Sequence, residues 1–142
     1  MQKMRTNPLV QLQRLDGGRR RLLIRATWLL SAASAGVALL PFRRAIRFGC
    51  VAARGDQLSV EDCVWAVEAA ARRLPWRTMC IEKGLAAQHL LRRAGIDAVL
   101  HYGARREPEV GKLEAHVWVS VASETVIGGE EAPGFREIAT FS

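Results

Sequence analysis

TMCIEKGLAAQHLLRRAG (residues 78–95) and, a little further on, LEAHVWVSVASETVIG (residues 113–128) decide how this chain folds, because the hydrophobic period changes between them. The first stretch reads as a helix. Thr78 is placed as its N-cap after Pro75-Trp76-Arg77, Arg92 and Arg93 fall in its last turn, and Gly95 stops it. From Ile96 onward the spacing becomes two: Ile96, Ala98, Leu100 and Tyr102 alternate as one strand, and Leu113, Ala115, Val117, Val119 and Val121 as a second. Thr125 to Gly128 makes a third strand and Arg136 to Phe141 a short last one, with a polar loop over residues 105–111.

Working outward toward the N-terminus, residues 59–73 predict another helix, capped by Ser59, with Glu61 and Asp62 in its first turn and Cys63 on its apolar face. Leu22 to Leu40 is apolar over about the length of a membrane span and follows three arginines. Arg25 inside it, the dilution by Ser31, Ala32, Ala33, Ser34, Ala35 and Gly36, and the stop at Pro41 with Arg43 and Arg44 favour a buried helix, so membrane association is not expected. Residues 1–18 are polar and expected to fray, with an Asp16-Gly17-Gly18 turn ahead of the helix. Helices first and an antiparallel sheet afterwards is an α+β layout. It divides into an N-terminal helical region, residues 1–75, and a core of residues 76–142 within one compact domain.

At 142 residues, 49% hydrophobic and 25% charged, the chain is long enough to bury a core. Its net charge is +7, and of 21 basic residues only Lys3, Lys83 and Lys112 are lysines. Scattered arginines, one tyrosine and no recognisable binding motif argue against nucleic acid. Cys50, Cys63 and Cys80 are widely spaced and odd in number, which argues against a disulfide scaffold or a zinc site and for reduced thiols in a cytoplasmic protein. No metal or cofactor is expected.

The chemistry concentrates at two positions. Cys80 falls in the first turn of its helix, where unsatisfied N–H groups and the positive end of the dipole favour the thiolate. His116 stands near the start of the second strand beside Trp118, on the face opposite the valines, placed to take up a thiol proton and return it. Cysteine before histidine and helix before strand is the order of papain-like folds. Trp76, Gly84 and Trp118 are expected to line the substrate cleft, with Gly84 allowing a sheet or a substrate to come close. If Val121 and Thr125 flank a short hairpin turn, His116 faces Glu130 across the strands, and a one-residue shift brings Gly129 or Glu131 there instead. Glu130 is the first candidate for an orienting acid. His89 lies about 13 Å along the helix from Cys80, at 1.5 Å per residue, too far to be its base. His101 reads as structural, as do Cys50 and Cys63.

Residues 76 to 130 together resemble the C-terminal half of lasso-peptide leader peptidases, which are transglutaminase-like thiol hydrolases. The elements that carry the resemblance are Cys80, Gly84-Leu85, Leu90-Leu91-Arg92-Arg93, Gly95-Ile96 and His116-Val117-Trp118-Val119, in that order. The resemblance implies a cysteine peptidase that cuts a ribosomal precursor peptide between leader and core, upstream of a macrolactam-forming cyclase. Some relatives carry a small winged-helix leader-recognition module; residues 1–75 read as helices instead, which implies a separate leader-binding partner. Arg92, Arg93, Arg105 and Arg106 are candidates for contacting it. One departure stands out: the third catalytic residue is usually about a dozen positions after the histidine, and that position here is Gly128.

Overall fold

The computed structural model describes residue 13 and residues 15–142, so most of the N-terminal segment expected to fray lies outside the described residues. The long helix α1 (Gly17–Leu39) leads through a short turn of helix α2 (Phe42–Ala45) to α3 (Val60–Arg73) and α4 (Cys80–Arg93). Strands β1 (Ala98–Arg106), β2 (Leu113–Val121), β3 (Glu124–Ile127) and β4 (Arg136–Phe141) follow, the last preceded by a 3₁₀ turn at Ala132–Gly134. The sheet is antiparallel in the order β3-β2-β1-β4, and the α+β expectation is met.

Asp16 caps α1 by accepting from the Arg19 amide at 2.8 Å, so Gly17 and Gly18 begin the helix instead of forming a turn ahead of it. Leu22, Leu23, Ala26, Leu30 and Ala33 bury one face of α1 against α3 and α4. The other face is open, with Trp28 74% and Leu39 81% exposed; the helix is half-buried where a fully buried one was expected. Arg25, the charge that interrupts its apolar run, pairs with Asp56 at 2.7 Å. On α3, Ser59 accepts from the Asp62 amide as its cap role requires, and Cys63, Ala66, Val67, Ala69 and Ala70 face inward.

Helix α4 meets the sheet where its residues are smallest. A side chain at Gly84 would come within 2.8 Å of Val117 Cγ1 and 3.4 Å of Leu100 Cδ1, so the missing Cβ is what lets the helix lie on β1 and β2. Gln88, wholly buried one turn on, donates its amide to the carbonyls of Ala98 and Phe141 and so ties helix, β1 and β4 together. On β2 the core face begins at Val117; Leu113 and Ala115, assigned to that face by alternation, are exposed because the helix ends short of them. β1 likewise begins at Ala98 and runs into the expected loop, pairing Arg106 with Leu113.

The β2–β3 hairpin turns tightly, with Val121 paired to Glu124 and both turn residues, Ala122 and Ser123, at positive φ (49° and 67°). That is the backbone twist a two-residue hairpin needs. A bulge between Val119 and Ser120 then advances the register by one, so that Val119 pairs with Ile127.

Candidate active site

Helix α4 starts one residue later than its sequence suggests. Met79, not Thr78, is the N-cap, and Cys80 is the first helical residue. Met79 offers no oxygen to the exposed amides, so Glu82 does part of the capping from within: its carboxylate, in a side chain only 8% exposed, accepts the Met79 amide at 2.9 Å. The Cys80 thiol, half-buried and unpaired with any other cysteine, therefore sits at a helix mouth without an N-cap side chain of its own to satisfy the first amides.

Opposite this mouth the chain builds a cleft of about 1280 Å³. Thr78, Met79 and Cys80 form one wall; Ala115, His116 and Val117 of β2 and residues 125–131 form the other. The structure thus brings Cys80 and His116 to one cleft. Glu68 and Lys83, which pair at 3.7 Å, close its floor on the helical side.

His116 is 5% exposed and held on all sides. Its ring stacks on Trp118 at 6.0 Å and meets Phe135 at 5.1 Å. Nε2 lies 2.9 Å from the carbonyl oxygen of Gly128. Because a carbonyl only accepts, Nε2 carries the proton, which leaves Nδ1 of the neutral ring with its lone pair. That nitrogen is the one able to accept a proton.

The early end of β3 explains why the expected acid is not opposite His116. Register alone would carry Glu130 there, but β3 ends at Ile127 and the chain turns at Gly128 with φ 73°. Glu130 lines the cleft without a contact to the imidazole, whereas Glu131 reaches Nδ1 at 3.6 Å from an exposed position. The first choice of acid is corrected accordingly: Glu131 is the nearer carboxylate, and it stands on the opposite nitrogen from Gly128.

Of the three residues expected to line the cleft, none does. Trp76 turns away and donates its indole N–H to Ser34 of α1 at 3.2 Å. Gly84 serves the helix–sheet contact. Trp118 lies beneath the site as a plate between two imidazoles, stacked on His116 on one side and nearly parallel to His101, 4° at 5.4 Å, on the other. A Cβ on Gly103 would strike its ring at 2.7 Å, so the glycine of β1 makes room for it.

His101, read as structural, anchors that plate. Glu137 accepts from its Nδ1 at 2.6 Å, so Nε2 accepts from the Ser120 hydroxyl at 2.7 Å. The connectivity is that of a Ser-His-acid relay. Ser120, however, is nine-tenths covered in mid-strand with paired strands on either side, and the network acts as a clamp on Trp118.

The remaining candidates are occupied elsewhere. Burial, reinforced by Asp62 and Asp56 and only partly offset by Arg25, pushes the Cys63 thiol up to about 11, which keeps it protonated and unreactive. His89 donates from Nδ1 to the Phe48 carbonyl at 3.1 Å and lies against the Phe48 ring, and burial holds its pKa below the usual histidine value despite that hydrogen bond. Arg92 reaches the Val51 carbonyl and Asp97, while Arg105 pairs with Glu114 at 2.7 Å and covers Phe135. Neither arginine is idle on the surface. Among the described residues no cluster of histidine, cysteine and carboxylates has metal-binding geometry.

A family profile described as the transglutaminase-like superfamily matches residues 23–140, nearly the whole chain, and the chain belongs to that superfamily. The match begins inside α1, so the N-terminal helices are part of the family domain. No curated protein and no solved structure matches the chain.

Proposed function

We propose that this member of the transglutaminase-like superfamily is a cysteine peptidase that removes the leader from a ribosomal lasso-peptide precursor. The observation that carries the reading is the meeting of Cys80, at the first position of α4, with the buried imidazole of His116 in one open cleft. The ordered resemblance of residues 76 to 130 to leader peptidases supplies the substrate class.

Cys80 Sγ, its proton passed to His116 Nδ1, attacks the scissile carbonyl. The tetrahedral oxyanion forms beside the free amides of the helix mouth, which favour negative charge. Collapse breaks the C–N bond, His116 returns the proton to the leaving amine, and a thioester remains on Cys80. Water, deprotonated by the same Nδ1, hydrolyses the thioester and restores the thiol. The released core amine is the group that a separate cyclase needs for macrolactam closure. Leader binding falls to a separate recognition protein in this reading, which the helices α1 to α3 support, since among the described residues no strand precedes β1.

The test combines the protein with a candidate precursor and a leader-binding partner and follows cleavage by mass spectrometry. Wild type is expected to release the core, and Cys80→Ala and His116→Ala to lose at least about 10²-fold in rate, the lower end of what a positioned base contributes. Cleavage that survives Cys80→Ala would sink the proposal. Transfer of the acyl group to an added amine in place of water would move the assignment to acyltransferase chemistry within the same superfamily.

A further inference from the structure

The two ring nitrogens of His116 have different neighbours, and from this we infer that the main-chain carbonyl of Gly128 is the group that positions the catalytic imidazole, in the role an acidic side chain would otherwise take. The inference rests on the thiol-hydrolase reading of Cys80 and His116. Three observations carry it. The Gly128 oxygen accepts from Nε2 at 2.9 Å, which fixes both the tautomer and the plane of the ring. Glu131, the nearest carboxylate, approaches the other nitrogen at 3.6 Å with its side chain 74% exposed, so it is neither in place nor dry enough to orient the ring. The position is also closed to any side chain: a Cβ at residue 128 would lie 2.8 Å from the Val117 oxygen and 3.3 Å from His116 Nε2, on a backbone with φ 73°.

Glycine at 128 is therefore not an acid lost from the site. It is the residue that lets the peptide plane itself reach the imidazole. With Nε2–H spent on that carbonyl, Nδ1 presents its lone pair to the cleft that Cys80 shares. When Nδ1 takes the thiol proton, the hydrogen bond from the now charged ring to the Gly128 oxygen strengthens. Gly128 acts through His116; it is a positioning residue.

Long-range ¹H–¹⁵N correlation on the uniformly ¹⁵N-labelled full chain reads the proton on each ring nitrogen without any substrate. The expected result for neutral His116 is a protonated Nε2 and a bare Nδ1, unchanged in Glu131→Gln and in Glu130→Gln. Gly128→Ala is expected to lose that signature and to slow iodoacetamide modification of Cys80, mapped by peptide mass, by roughly tenfold or more, a fraction of what a positioned base supplies. Glu131→Gln is expected to change that rate by no more than about threefold, as befits an exposed ion pair. A wild-type ring protonated on Nδ1, or a tautomer that follows Glu131 or Glu130 instead, overturns the inference even if Gly128→Ala does not fold. A modification rate indifferent to His116→Ala would overturn the hydrolase reading, and the tautomer measurement would still report separately on Gly128.

Discussion

Burial separates two cysteines of this molecule. Cys63 is driven to about 11 and silenced, while Cys80, half-exposed at a helix mouth, is left available. His89, buried against Phe48, is held toward its neutral form by that burial. The His89 shift has a measurable consequence. Its folded pKa lies below the value near 6.5 expected when unfolded, so the unfolded chain binds the proton first as pH falls. The associated stability is complete above about pH 6.5 and is lost as pH drops from there through the folded value. Melting temperatures at pH 7.5 and pH 5 should therefore differ more for wild type than for His89→Asn; equal differences would remove His89 from the account. Cys80 and His116 were legible from residue type and place in the period. Gly128 was not, because a carbonyl is common to every residue and only the turn's φ aims it. The sequence marked Gly128 only as the place where an acid was due, beside Gly129 at the expected end of a strand.

Elements were read correctly where a local signal governs them and less well where a neighbour does. The cap at Ser59 and the stop at Gly95 are written into single residues and the helices follow them, whereas Asp16, expected in a turn, is itself the cap of α1. Thr78 looked like a cap, yet Met79 holds that position, with its own amide accepted by Glu82 from three residues on. The β2–β3 turn is one residue tighter than expected and a bulge restores the register beyond it, so the choice of acid turned on where β3 ends, at Ile127, which no periodicity reveals. Gly84 was seen as a place of close approach, and the partner turned out to be the sheet. Helix propensity alone would favour any residue but proline there, by up to about 1 kcal/mol. Gly84→Val should nonetheless cost about 1–3 kcal/mol, the penalty of overpacking, since its first atom already collides with Val117. Denaturant titration at fixed pH measures this, and a gain in stability would mean that α4 and the sheet yield more than their contact suggests.

Across the whole molecule one core joins the N-terminal helices to α4 and the sheet, and residue 75 falls in the connection between α3 and α4 inside a single family match. α1 passes the length and hydropathy tests of a membrane span, yet Leu22, Leu23, Ala26, Leu30 and Ala33 belong to that core. Leu30, fully buried, is the place to test how much depends on them. Leu30→Ala should lose about 2–5 kcal/mol, a large share of a typical domain's 5–15 kcal/mol. Loss should appear as one cooperative transition that includes the β-sheet signal. Separate melting of helices and sheet would instead divide the chain into independent units.

The hairpin between β2 and β3 works as a ruler. Two residues of turn and one of bulge meter the distance from Val121 to Gly128, and that length, more than any side chain along it, delivers the oxygen to His116. Sequence drift can pass through Glu124 or Thr125, whose side chains are exposed, without moving the mark. An insertion or deletion of one residue cannot, because it would swing Ile127 out of the core and retire the carbonyl in the same stroke. In descendants of this chain, loop length is the quantity that selection must guard.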